Sequence, residues 1–583
     1  MTDQKNLVLA IAISVAILFG FHFIYEVPRQ QRLQAEMARQ KAMQEQTVDP
    51  ATAGATAPVA APGGVPAAPG AVPGASPQVA QAAPAEAPRV RIETPELHGS
   101  VSLRGGRFDD LTLARYKTEP KQGAPEVALL APAGSSKPYF AEFGWIAGQD
   151  GAAQALPGPQ TDWTARGDRL APGQPLVLSW DNGQGLVFER EISVDENFMF
   201  TVVQRVRNTG GQPVTLFPYG RIVREGTPET SGFYILHEGP IGVANGTLQE
   251  LTYDEAREDG SWSADSTGGW IGITDKYWLV TLIPDQKTPV AMRVSHQQGD
   301  VYQTDYRGQA LTVQPGATAE TTNRLFAGAK VVRLLDRYED ELGVARFSYA
   351  VDWGWFYFLT KPFFYALDWL GRATGNFGIA ILVFTVFLRL AFFPLANKQY
   401  ESFGKMKKLQ PQMEELRKRC GDDRQRMSQE MMALYKREQV NPLAGCFPIL
   451  LQIPVFFALY KVLFVTIEMR HAPFYGWIRD LSAPDPTTLF NLFGLIPWDP
   501  PSFLHIGVLP LAMGVTMWLQ QKMSPAAGDP VQQRVMMMLP FLFTYMMAAF
   551  PAGLVLYWTW SNLLSIAQQW FIMRRMGVKN PAA

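Results

Sequence analysis

The stretch 381-ILVFTVFLRLAFFPLANKQY-400 reads as the second half of a membrane-spanning helix, with one arginine, Arg389, standing among leucines and phenylalanines. Insertion scales put a central arginine at about 2.5–3.5 kcal/mol, so it must face a partner or water. Lys398 lies nine residues on. That is ~13 Å of helix, farther than a guanidinium comfortably snorkels. No apolar segment offers a carboxylate at matching depth, and the nearest, Glu468, falls at the opposite membrane face. An internal salt bridge is therefore disfavoured. Thr385 sits one turn earlier on the same face, Gln452 begins the third apolar segment, and Trp558, Asn562, Ser565 and Gln569 recur at helical spacing along the last one. These stripes are expected to face one another and to line a hydrated groove.

Working outward, 583 residues allow several domains, and 47% hydrophobic with 18% charged is too apolar for an ordinary soluble protein of this size. A formal net charge of -1 gives no reason to expect direct nucleic-acid recognition. The two cysteines, Cys420 and Cys446, supply neither a disulfide framework nor a metal-binding spacing, and the six histidines are scattered, so no metal site is expected. Phosphate-loop, nucleophile-elbow and zinc-protease motifs are absent. The chain reads as a non-enzyme that needs no cofactor.

Composition divides the chain. Residues 1–28 read as a transmembrane signal anchor, 29–88 as a disordered Ala/Pro/Gly-rich linker, and 89–332, with alternating runs such as LVLSWDNGQGLVFEREISV, as a large β-sandwich. Helices at 333–374, rich in Trp, Tyr and Phe, suit the headgroup layer, with Pro362 a candidate break. Transmembrane helices 2 (375–397) and 3 (446–468) flank a helical hairpin at 398–445. A loop (469–504) leads to transmembrane helices 4 (505–522), 5 (534–550) and 6 (552–573), with a connecting loop at 523–533 and a short tail at 574–583. The expected class is thus a polytopic α-helical membrane protein with six transmembrane helices and a large all-β domain. The segment 398–445 carries eleven Lys or Arg, against two in 468–504, which makes the hairpin side cytoplasmic. Six spans then put both termini in the cytoplasm and the β-domain in the periplasm.

The hairpin places apolar residues at helical spacing, with an expected kink near Pro411, and is rich in methionine, a side chain that suits a surface accepting varied apolar partners. Met406, Met413, Cys420, Gly421, Asp422, Met427, Met431 and Met432 are its candidate contacts for client and ribosome.

The segments GDDRQRMSQEMMALYKREQVNPLAGCFPILLQIPVFFALYKVL and FPAGLVLYWTWSNLLSIAQQ, with the arginine in FLRLAFFPL, resemble the YidC membrane protein insertase family in its Gram-negative form. The resemblance implies a bacterial inner-membrane insertase and chaperone with a five-helix core, an inner-leaflet groove and a periplasmic β-supersandwich. It implies work alone or beside the Sec translocon and its accessory subunits, on nascent membrane proteins delivered by the translating ribosome into the lipid bilayer. Arg389 matches the family's groove arginine, with Thr385, Gln452 and Asn562 at neighbouring groove positions. Trp558 stands where members often carry tyrosine, and the tail after Met573 is short and weakly basic, which counts against tail-assisted ribosome docking. Two other classes stay open on the residues alone. A secondary transporter needs repeated or broken helices in both halves, and an envelope glycan-binding protein needs a polar constellation in the sandwich.

Overall fold

The computed structural model describes residues 87–576 and Val72, except for 122, 149–153, 231–235, 259–260, 422, 439–446, 495, 497, 499, 502–503 and 525–529. The expected first span, nearly all of the linker, Asp422, Cys446 and the tail beyond residue 576 lie outside the described residues.

Alternation builds the first domain. Every second residue from Leu186 to Val194 is buried, including Arg190, because a pleated strand can turn only one face to a core. The next strand, Met199–Asn208, folds back antiparallel with Phe200 opposite Val194. Asp195 fixes the turn by accepting from the Asn197 and Met199 N–H groups at 2.9 and 3.0 Å. The described strands form two sheets, of eleven and nine strands, whose inner faces meet at contacts such as Phe108 on Phe200, 5.2 Å between ring centroids. Between the sheets lies a buried charge cluster. Glu142 accepts from Arg107 and Arg221, each at 2.7 Å, while Arg190 donates to the Gly106 carbonyl at 2.6 Å and to that of Phe143.

The helices are α1 (Tyr253–Glu258, within the sandwich), α2 (Val332–Leu342), α3 (Tyr357–Thr374), α4 (Phe377–Ala391), α5 (Phe393–Cys420), α6 (Arg424–Arg437), α7 (Phe447–Val465), α8 (Val508–Met523), α9 (Pro530–Met547) and α10 (Ala552–Arg575). Helix α3 runs on through Pro362 rather than breaking there. Pro362 is the sixth residue of the helix and forfeits the single bond its N–H would make to the Phe358 carbonyl, and the helix continues past that loss. The second expected span is not straight. It bends by 68° between α4 and α5, where Pro394 takes the first turn of a new helix, a position that tolerates its missing N–H. Helix α10 packs against α4, α5, α7 and α8 and so stands at the centre of the bundle. Gly514 of α8 lets α9 approach closely, since a Cβ there would lie 2.0 Å from Thr544 Oγ1.

Among the described residues no single helix is long and apolar enough to cross a membrane, whereas α4 and α5 pass that test together. The surface is nonetheless divided. Every exposed large hydrophobic side chain among the described residues lies at or beyond Trp355, with Phe358, Phe387, Val515, Phe541 and Phe571 among the most open. A soluble surface rarely gathers so much apolar area. One hydrophobic core runs unbroken from the sandwich into the helices. Polar contacts reinforce the junction: the Val332 N–H donates to Glu468 Oε1 at 3.0 Å, Lys361 pairs with Asp336 at 2.8 Å, and Lys461 pairs with Asp352 at 2.7 Å.

Candidate functional site

Arg389 occupies the last turn of α4, half-buried, between the exposed Phe387 and Leu390. Its Nε donates to Ser561 Oγ of α10 at 3.2 Å, and Nη2 donates to the same oxygen. No carboxylate of the described residues lies within ion-pair distance of it. A guanidinium has five N–H donors, so three remain for water or a guest. The arginine lines a recess of about 490 Å³, open mouth included, together with Thr385, Gln399, Gln452, Tyr557 and Ser561, while Leu388, Phe392, Leu395 and Val455 supply apolar walls. Gln452 Nε2 donates to the Tyr557 hydroxyl at 2.6 Å, tying α7 to α10 across the recess. Thr385 is buried and turns its hydroxyl proton back onto the Ile381 carbonyl at 2.6 Å.

The structure brings Arg389, Thr385 and Gln452 together and turns the rest of the expected stripe elsewhere. Trp558 packs between Phe456 and Phe543, at ring distances of 5.0 and 5.5 Å. Asn562 Nδ2 donates to Thr516 Oγ1 of α8 at 3.2 Å. Ser565 bonds the Ser561 carbonyl at 2.8 Å, and Gln569 is fully buried with neither amide atom partnered. Helical rotation of about 100° per residue explains the difference. Tyr557 and Ser561, i and i+4, form the arc facing α7 and α4, and Trp558, Asn562 and Gln569 lie roughly a quarter turn further round, where Asn562 meets α8 and Trp558 packs between α7 and α9. Both stripes are present in the sequence, and the Tyr557–Ser561 pair is the one that the structure sets at the recess. Tyr557 thus brings a tyrosine hydroxyl to the recess, one residue before Trp558.

In the hairpin, Met406 and Met413 pack on the Leu409–Leu434 seam between α5 and α6, so they hold the two helices together. Tyr435 donates to Met413 Sδ at 3.8 Å. Cys420 is buried at the end of α5, and Gly421, at φ 55°, turns the chain toward α6, which Asp423 caps by accepting from the Arg426 N–H at 3.0 Å. Met427 and Met431 are half-buried, while Met432 is exposed. Among the described residues no group of three His, Cys, Asp or Glu could hold a metal ion.

A β-sandwich fused to an apolar-skinned helical bundle with an arginine recess defines an integral membrane protein. Two family models match in tandem: "YidC periplasmic domain" over residues 89–366 and "60Kd inner membrane protein" over 369–579. The membrane protein insertase YidC of Methylorubrum extorquens (strain PA1) is 50% identical, covering 99% of this chain and 96% of its own. That of Sinorhizobium fredii (strain NBRC 101917 / NGR234) is 51% identical, covering 99% and 97%. A crystal structure of an active YidC insertase covers 82% of this chain and 91% of its own at 16% identity, with a TM-score of 0.34. The chain belongs to the YidC membrane protein insertase family.

Proposed function

We propose that this protein inserts integral proteins into the bacterial inner membrane, and helps them fold, by way of the recess around Arg389, alone or beside the Sec translocon. The observation that carries this reading is a guanidinium held by one serine hydroxyl, without a carboxylate among the described residues, in an open recess of an apolar bundle. In the reading that fits it, six spans place both termini and the hairpin in the cytoplasm and the sandwich in the periplasm. The exposed aromatics Trp355, just before α3, Trp369 of α3, and Tyr475, Trp477 and Trp498 of the following loop then rest in the headgroup layer.

A client helix needs no external energy to enter lipid, because burial of apolar surface contributes about 25 cal/mol per Å². The obstacle is its polar flank, which loses hydration in hydrocarbon. Arg389, Gln452, Tyr557 and Ser561 offer that flank donors and acceptors partway across, so the dry path shortens. The unpaired charge favours acidic or polar tails. The client then leaves sideways over the exposed apolar faces of α4 and α9. The hairpin, with Met432 outward, receives the nascent chain near the ribosome.

The test is insertion into proteoliposomes of two clients that differ only in an acidic or a neutral translocated tail. Arg389→Ala should slow the acidic-tailed client several-fold and spare the neutral one, with Arg389→Lys restoring most of the difference. Equal insertion of both clients by the alanine variant refutes the charge's role.

A further inference from the structure

A second cavity, about 730 Å³ with its open mouth, lies where the sandwich meets the bundle. The sandwich contributes Thr118, Lys276 and Tyr277; the segment after α7 contributes Arg470, His471, Asp480 and Ser482. Its floor is Phe464 at the end of α7 and Pro551 at the turn into α10. Among the described residues neither cation has a carboxylate within ion-pair distance, although Asp480 lines the same cavity and acts on both from further off. Lys276 Nζ stands 3.5 Å from the Phe464 ring centroid, and no carboxylate of the described residues comes within ion-pair distance of it. Arg470 donates to the Lys117 carbonyl at 2.6 Å and covers the Trp278 ring at 5.2 Å. Both cations lie over one ring, that of Tyr277, at 4.9 and 5.8 Å from its centroid. Both line the same cavity, Lys276 from the sandwich and Arg470 from the segment after α7.

The acidic groups nearby are already engaged. Asp480 Oδ1 accepts from the His471 N–H at 3.1 Å, the Ser482 N–H at 2.8 Å and Ser482 Oγ at 2.7 Å. Glu238 accepts the backbone N–H of Lys276 at 3.0 Å. His471 holds a left-handed backbone at φ 57°, which is uncommon for a non-glycine residue and keeps the ring at the cavity wall. Burial pushes Lys276 down to about 8 in spite of Glu238 and Asp480, so its charge is under-compensated as the protein stands.

We propose that Lys276 and Arg470 bind a phosphate-type anion in this cavity, supplied by a phospholipid headgroup or by free phosphate, with the His471 ring at the cavity wall. A headgroup source rests on the topology proposed above, which sets the end of α7 and the start of α10 at the periplasmic surface. A charge-assisted bond to each cation gives the anion two anchors, and loss of both should weaken binding by roughly tenfold or more.

The full-length protein in detergent is titrated with three probes: inorganic phosphate, dihexanoylphosphatidylglycerol, and dihexanoylglycerol, which lacks the phosphate. Saturable binding of phosphate or of the phospholipid, but not of dihexanoylglycerol, is expected. It should fall at least tenfold in the double variant K276Q/R470Q and persist in K276R. Lys276→Met, in a loop between strands, serves as a second variant should the double variant fail to fold. Tighter binding of the phospholipid than of phosphate assigns the site to a headgroup; equal binding assigns it to a free anion and counts against headgroup depth while leaving the anion site intact. Absence of binding, binding that dihexanoylglycerol matches, or equal binding by wild type, K276Q/R470Q and Lys276→Met overturns the proposal. Client insertion, measured in parallel, reports separately on the Arg389 recess.

Discussion

Arg389 and Glu142 show one physical rule with opposite outcomes. A charge withdrawn from water needs compensation, and the sandwich supplies it in full: Glu142 sits between Arg107 and Arg221 with Arg190 beyond. Burial disfavours the carboxylate, yet Arg221 and Arg107 outweigh it and hold Glu142 below its ordinary 4.5. A carboxyl whose folded value is depressed contributes stability that is complete above the unfolded value and disappears as pH falls through the folded one. Glu142→Gln should therefore destabilise the sandwich by about 3–5 kcal/mol at neutral pH and flatten its loss of stability in acid, as read by chemical denaturation across pH. Unchanged stability at neutral pH would count against the cluster. Arg389 receives one serine instead of a carboxylate, and on the function proposed above that incomplete compensation leaves it available to a client.

At the scale of the element, α10 carries two polar stripes with separate tasks. The Tyr557–Ser561 arc serves the recess, and the arc through Asn562 serves the packing against α8. Gln569 lies on the second arc, fully buried, with both amide atoms unpartnered. Leucine at that position should stabilise the bundle by about 1–3 kcal/mol and leave client insertion intact, since an unsatisfied buried amide is removed and nothing of the recess is touched. Loss of insertion in Gln569→Leu would return that residue to the site. This division also shows where the sequence was legible. That α10 is helical and bears polar groups on a buried side follows from spacing alone. Which of two stripes a quarter turn apart faces Arg389 depends on how α4 and α8 are placed around α10, and no local pattern records that. The bend at Phe392 was similarly hidden. Apolar composition continues across it, and Pro394, which marks it, is as compatible with a helix start as with a span's end.

For the whole molecule, the sandwich is joined to the bundle through a common core and through α2 and α3. Asp368 of α3 is almost fully buried and binds Arg333 of α2 at 2.7 Å and Arg372 at 3.0 Å. Asp368→Asn should cost about 1.5–3 kcal/mol and raise amide exchange in α2 and α3 while leaving the sandwich strands protected. Unaltered exchange in both helices would show that the apolar core alone holds the junction. The two-domain plan was readable because alternation and long apolar runs are local signals. The order of strands was not: Thr318–Ala329 pairs with both Met199–Asn208 and Trp278–Ile283, contacts that only the closed sandwich defines. Likewise the cavity beside Lys276 joins residues about 200 positions apart, which no motif could have brought together.

The central claim is that water reaches the flank of Arg389 while lipid covers the side of α4 next to it. Adjacent residues make this testable: Leu388 lines the recess and Phe387 is exposed on the apolar skin. With Cys420 and Cys446 replaced by serine, Leu388→Cys and Phe387→Cys are each treated in proteoliposomes with a charged, membrane-impermeant thiol reagent on the hairpin side. Modification of Leu388→Cys but not of Phe387→Cys is the predicted result, and a Leu388→Cys as inert as Phe387→Cys would contradict the account.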